Sequence, residues 1–341
     1  MQRMRLLSAL VVLSATLAPS AHAADPLPTD PAGTFSFTLE NDLFGGTDKY
    51  YTSGFLFSWR SPSNDPPRWL TWMTEPVARL LLPSSASTQR RWGLALGQNI
   101  YTPDDTDRRI PDPKDRPYAG WLYGAFTLTA YDRESYGAFE VQIGVVGPAA
   151  LGEQVQNNVH DFMGIDRSFG WDRQLKDELG INLVVSRQWR YNRPLDPENE
   201  RGLAVGIIPT LTGSLGNVQT SAAAGMMVRL GSNLLADFGP PRIRPSLAGS
   251  AFYQPDGRWG WYVFGGVEGR AVAHDIFLDG NTFRDGPSVD KENFVGDGLV
   301  GAALLMPWAR LSYTHVFRTK EFQGQTGGTT QFGSITLSMR F

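Results

Sequence analysis

Residues 334–341 read SITLSMRF, and how they are read decides the fold. Ile335, Leu337, Met339 and Phe341 alternate with Ser334, Thr336, Ser338 and Arg340. A period of two puts each set on one face of a β-strand. One face is apolar and the other polar, which has two meanings. A soluble sandwich, or a periplasmic lipocalin-like barrel, turns the apolar face inward. A membrane barrel turns it out to lipid and keeps the polar face in its lumen.

The same alternation recurs along the chain. In GAFEVQIGVVG, Phe139, Val141, Ile143 and Val145 lie opposite Glu140, Gln142 and Gly144. Twelve stretches carry it: 34–40, 52–60, 91–100, 121–131, 136–146, 183–192, 202–213, 218–230, 259–273, 296–305, 308–317 and 332–341. A weaker thirteenth is 244–254. Three features favour the membrane. Strands of about ten residues match a tilted crossing of the hydrocarbon core. Trp59, Tyr101, Trp121, Tyr131, Trp189, Trp259 and Trp308 recur near strand ends, as in aromatic girdles. The last strand ends on Phe341, which resembles the sorting signal of bacterial outer-membrane barrels. The expectation is an all-β, 12-stranded antiparallel transmembrane β-barrel.

Composition bounds this further. Arg3 and Arg5, the apolar run LLSALVVLSATLA and Ala21-His22-Ala23 make residues 1–23 a secretory signal. Residues 24–33 are a Pro-rich lead-in, and 34–341 form the barrel domain. The 341 residues include no cysteine, so no disulfide framework is expected. No later run is apolar over about 18 residues, so no transmembrane helix is expected. A formal net charge of −3 argues against a nucleic-acid partner. The destination is the bacterial outer membrane, among outer-membrane lipids, as a monomer.

A single-chain bacterial barrel has an even strand count and both termini in the periplasm. Twelve strands fit if 244–254 is a periplasmic excursion. The outward loops are then 41–51, 101–120, 147–182, 214–217, 274–295 and 318–331. Loop 147–182 contains Val155, Val159, Phe162 and Met163 at helical spacing, so a short helix is expected there. The inward segment 61–90 holds RWLTWMTEPVARLLL, an amphipathic helix interrupted at Pro76 and suited to the inner membrane interface.

The candidates for chemistry are few. Of four histidines, His22 leaves with the signal, and His274 and His315 lie on strand positions that suit a structural role. His160 sits in the polar outward run QVQNNVHDF, where a general base near neutral pH is a possible use. The stretch ENDLFGGTDKYYTSG (40–54) puts Asn41 and Asp42 at the outer end of one strand and Thr52 at the start of the next. Carboxylate, amide and hydroxyl oxygens suit a hard cation such as Ca²⁺, although a polar hairpin at the membrane surface has the same composition. Arg108, Arg109, Lys114 and Arg116 form a basic outward loop. Arginine pairs grip phosphate, or these charges are exchanged with the five aspartates of the same loop. No G-x-S-x-G, no H-E-x-x-H and no cysteine nucleophile is present.

ENDLFGGTDKYYTSG, the QNIYTP…RR…P loop, DRPYAGWLY and GVVGPAALGEQVQNNVHDFMG together resemble the outer-membrane lipid A 3'-O-deacylase family. The similarity runs from about residue 34 to the C-terminus and is densest in the first half. The resemblance implies a twelve-stranded barrel with a Ca²⁺-dependent site at outer-leaflet height, between the wall and an extracellular helix. The substrate it implies is lipid A of lipopolysaccharide, whose 3'-linked acyloxyacyl ester is hydrolysed. It assigns the catalytic histidine to His160, with Gln156 in the same run, and the Asn-Asp pair to Asn41 and Asp42. It assigns the strand-2 threonine to Thr52 and the substrate-binding basic pair to Arg108 and Arg109. Metal support falls on Asp42 and on Asp166, which stands where the family has a glutamate. The rival readings are another outer-membrane esterase or phospholipase, and a non-enzymatic porin-like or adhesion barrel.

Overall fold

The structure is a computed structural model that describes residues 27–45, 50–164, 166–200 and 202–341. The signal assigned to residues 1–23 lies outside these.

Antiparallel strands follow one another around a single closed sheet. They are β1 (Thr34–Asn41), β2 (Tyr50–Arg60), β3 (Gln89–Thr102), β4 (Ala119–Tyr131), β5 (Ser135–Val146), β6 (Glu178–Trp189) and β7 (Tyr191–Pro194). They continue as β8 (Leu203–Gly216), β9 (Gln219–Ser232), β10 (Gly260–Asp275), β11 (Phe294–Leu305), β12 (Ala309–Arg318) and β13 (Thr330–Arg340). β1 pairs with β13 and closes the ring. β6 and β7 both pair with β8, along 210–216 and 204–207 respectively, so they form one stave broken at Arg190. The barrel therefore has twelve staves, as the alternation predicts.

The faces settle the choice between lipid and water. Ser334, Thr336 and Ser338 are buried inside, whereas Leu337 and Met339 stand exposed outside. Leu94, Leu96, Ile143, Val263 and Val267 continue an apolar outer belt. Trp259, Trp261, Trp308 and Phe341 ring its periplasmic edge. A closed sheet leaves no unpaired edge within the bilayer.

Helix α1 (Arg68–Leu81) lies between β2 and β3. It is not interrupted at Pro76, contrary to expectation. Ala78 and Leu82 pack on Leu128 and Ala130 at the periplasmic end of β4, and this contact carries the helix through the proline. Trp69 and Trp72 are exposed, as an interfacial helix requires.

The lumen is filled. Segment 244–254, expected to be a periplasmic excursion, instead turns up into the barrel with its flanks, and the whole of 233–259 has no strand. Near its start, Asp237 accepts hydrogen bonds from Arg229 (2.7 Å), Arg310 (2.9 Å) and Tyr262 (2.8 Å). Farther along, Arg242 pairs with Glu40 at 3.1 Å, and the Pro245 carbonyl accepts from Arg318 at 3.3 Å. Glu40 and Arg318 belong to the extracellular ends of their strands, so the plug spans the barrel. The lead-in is used as well. Asp30 is buried against Arg91 at 2.7 Å and also pairs with Arg340, which ties the start of the chain to its last strand.

Candidate active site on the outer wall

The chain leaves β5 through Gly147, whose φ of 108° is open to glycine, and enters α2 (Gly152–Met163). Gly164, in the left-handed conformation, ends the helix and donates its N–H to the carbonyls of Asp161 and His160. The reversal brings the backbone carbonyl of Asp166 back to His160, whose Nδ1 lies 2.7 Å away. A carbonyl only accepts, so Nδ1 carries the proton and Nε2 is the basic nitrogen of the neutral ring. His160 is in the last helical turn, where the helix dipole favours a cation. Arg167 grips both oxygens of the Asp161 carboxylate and holds that group below the usual carboxylate range. This exposed pair adds little stability, but it closes the turn that presents Asp166.

Gly152, Gln156 and His160 are the buried residues of α2, four apart and so on one face. That face meets the barrel wall. A Cβ built on Gly120 of β4 would stand 3.0 Å from Ala150 Cβ and 3.3 Å from the Gly152 nitrogen. Gln98 of β3 donates from Nε2 to the Ala150 carbonyl at 2.6 Å. Val155 packs with Ile100, Tyr118 and Trp171. Gln98 and Ile100 continue the outward row of Leu94 and Leu96, so α2 covers the outside of the barrel and not its lumen. The predicted helix is present, but of its four apolar residues only Val155 shares the packing face. Val159, Phe162 and Met163 are exposed, Phe162 at 91%.

The close approach at Gly120 gives a first prediction. Gly120→Val should push α2 off the wall while leaving the β4 ladder paired. The expected result is a loss of about tenfold in whatever reaction the His160 face of α2 supports, the scale of a misplacement rather than the removal of a group. Heat-modifiable electrophoretic mobility should be unchanged. A folded Gly120→Val protein with full activity would show that the contact does not position the helix.

The opening hairpin supplies the oxygens. Asn41 follows the outward residues Phe35, Phe37 and Leu39, and its Oδ1 accepts from the Leu43 N–H at 2.7 Å. Asp42, fully buried, starts a 3₁₀ turn over Asp42–Gly45. Thr52 occupies a bulge where the β2–β3 register shifts between Tyr51 and Ser53. Tyr51 turns inward onto Tyr101 and Phe332, while the Thr52 hydroxyl lies 2.6 Å from that of Thr102. Thr102 is two residues beyond Ile100, so Thr52 and α2 flank one arc of wall. Asn41 and Asp42 stand one stave farther along.

The basic loop divides. Arg116 is buried against Glu321 at 3.3 Å, with its guanidinium over the Tyr101 ring, and is not part of the outer surface. Arg108 and Arg109 are exposed. Arg108 pairs with Asp105 at 2.8 Å, and Arg109 lies over Phe169 at 6.0 Å, beside the α2 loop. Phe169 N–H donates to the Thr106 carbonyl, which joins the two loops.

For a cation, the buried Asp42 carboxylate and the neighbouring hydroxyl and amide oxygens are hard donors and fit Ca²⁺ in kind. Asp166 is exposed, and its recorded contact with His160 is through the backbone carbonyl. Among the described residues no three His, Asp or Glu side chains gather into a metal cage. Missing one methylene relative to glutamate does not alter a backbone contact. Two residues that sequence reasoning passed over also build this site. Gly120 admits the helix. Trp171 donates from Nε1 to Gln156 Oε1 at 3.1 Å.

Comparison with known proteins gives one family and one fold. The family model described as outer membrane protein LpxR matches residues 6–341. The solved structure of LpxR from Salmonella typhimurium is similar with a TM-score of 0.72 at 21% identity, covering 90% of this chain and 100% of that one. The β domain of the Bordetella autotransporter Brka gives a TM-score of 0.41 at 8% identity, covering 91% of this chain and 98% of that one. No curated protein sequence matches.

Proposed function

This chain belongs to the LpxR family of outer-membrane proteins, and on that premise we propose that it is a lipid A 3'-O-deacylase. It hydrolyses the ester of the 3'-linked acyloxyacyl chain in the outer leaflet. The observation that carries this reading is the His160 ring. Its Nδ1–H is engaged by the Asp166 carbonyl, its Nε2 is basic, and it sits on the α2 face that meets the outer wall.

His160 takes a proton from water at Nε2, and the water oxygen attacks the ester carbonyl. The imidazolium that forms is stabilised by the carbonyl at Nδ1 and by the C-terminal end of α2. Asp42, with Asn41 and the Thr52 hydroxyl, would hold a Ca²⁺ whose chemistry is to polarise an ester carbonyl as a Lewis acid. Gln156, one turn from His160 on the same face of α2, orients the ester. Arg108 and Arg109 hold a lipid A phosphate at the headgroup level. The protonated His160 then returns its proton to the departing alkoxide. A porin would need an open lumen, and here segment 233–259 occupies it. The site is complete within one chain, which acts as a monomer.

Mass spectrometry of lipid A from cells with and without the protein tests this. The expected result is loss of one acyloxyacyl chain, suppressed by chelation and restored by Ca²⁺. Phospholipid cleavage with unchanged lipid A would instead identify a phospholipase. No change in either lipid class would remove the enzyme reading. Asp42→Asn should raise the Ca²⁺ concentration for half-maximal activity by about tenfold, since ligand charge sets affinity in such sites. An unchanged Ca²⁺ requirement would exclude Asp42 from the ion.

A further inference from the structure

Gln156 is held at one end only. Trp171 Nε1 donates to its Oε1 at 3.1 Å, and an indole N–H can only donate. That bond fixes the amide orientation, oxygen toward Trp171 and NH₂ away from it. The Nε2 atom is buried and has no hydrogen-bond partner among the described residues, in a side chain only 3% exposed. A buried, unsatisfied amide donor is costly and calls for a ligand. On the wall strand β3, Gln98 shows the mirror arrangement. Its Nε2 is spent on the Ala150 carbonyl, while its Oε1 is buried without a partner. The wall strand and the helix thus each leave one buried amide atom unpaired among the described residues.

Gln156 and His160 are four residues apart, so they stand one helical turn apart on the same face, about 6 Å along the axis. One presents a donor and the other a basic nitrogen. A tetrahedral carbon between them needs these two functions, a donor for the oxyanion and an acceptor for the proton of water.

Resting on the deacylase reading, we infer that Trp171 is a positioning residue that keeps Gln156 Nε2 turned toward the oxyanion of the ester. Trp171 itself touches no reacting atom. It is 1% exposed, wedged against Tyr118 and Gly152. Without its N–H the Gln156 amide is free to rotate by half a turn, which offers an oxygen where the developing negative charge lies. The ground-state ester binds through its acyl chains and phosphates, so KM is not involved. The rate of the chemical step is.

The test is a cycle of Trp171→Phe, Gln156→Leu and the double variant, with purified protein, Ca²⁺ and lipid A. A second form carries β-(3-benzothienyl)alanine at 171, which keeps the indole shape and lacks only the N–H. Gln156→Leu should lower kcat by about 10²-fold, as expected for an oxyanion donor. Trp171→Phe and the benzothienyl form should each lower kcat by about tenfold with KM unchanged, the effect of misorienting that donor without removing it. On the Gln156→Leu background the Trp171 change should cost nothing more, because it acts only through Gln156. Full kcat in the benzothienyl form would overturn the inference, and so would an equal further loss in the double variant. If the wild-type protein does not deacylate lipid A at all, the function reading fails instead, and the two failures are distinct.

Discussion

Replacing His160 with alanine should lower deacylation by about 10²–10⁴-fold, the usual contribution of a general base, while the barrel folds normally. The two halves of that expectation have separate grounds. His160 is on a helix laid against the outside of the wall, and no strand pairing depends on it. Its loss leaves the staves, the plug and the closure of β1 on β13 untouched. Its chemistry, by contrast, has no substitute on the buried face of α2. The neighbouring Gln156 offers an amide, which cannot take a proton from water at neutral pH. Asp161 is adjacent in sequence but points outward into its pair with Arg167. The measurement is initial rate on lipid A, with heat-modifiable mobility as the check on folding. Added imidazole should restore part of the rate to the alanine variant. A folded His160→Ala protein with near wild-type rate would mean that another group activates the water.

How much of this was legible in the sequence depends on what each segment faces. Lipid on one side and a polar lumen on the other impose a period of two, and the twelve staves follow directly from it. The Arg190 break was not visible, because the stave resumes in the same register against β8. The plug was not visible either. Segment 233–259 is held by arginine pairs and by carbonyls accepting from arginine and glutamine, such as Ala248 from Gln188, and such contacts leave no period. Val155, Val159, Phe162 and Met163 located α2, but only Val155 shares its packing face. On a membrane protein the apolar side of an outer helix has lipid to meet, so the polar Gly152–Gln156–His160 row can take the wall. His160 stood out as a histidine in a polar outward run and Thr52 as a hydroxyl opening the second strand, whereas Gln156 was marked only by the resemblance to the family. Trp171 was missed because one tryptophan in a loop gives no sign that its N–H, not its ring, is what matters.

The plug carries the other large prediction. Asp237→Ala should destabilise the barrel by about 3–5 kcal/mol, the cost of stranding a buried charge. The Asp237 carboxylate takes hydrogen bonds from Arg229, Arg310, Tyr262 and the Gly239 N–H, and both guanidinium groups are fully buried with it. Deleting it leaves two cations in the lumen with their one shared counter-ion gone. Most of the cost is therefore the abandoned charge and not the lost bonds. That separates two variants that look equally damaging on paper. Asp237→Ala should unfold at clearly lower urea concentration in lipid vesicles. Adding Arg229→Met and Arg310→Met to it should recover a large part of the stability, because neutral side chains of similar length fill the space without a charge to desolvate. If the triple variant is no better than Asp237→Ala, the network is held by geometry and not by charge balance. Folded Asp237→Ala molecules should still deacylate lipid A at close to the normal rate per barrel. The plug stands inside the wall and His160 outside it, so the lumen supports the enzyme without taking part in its chemistry.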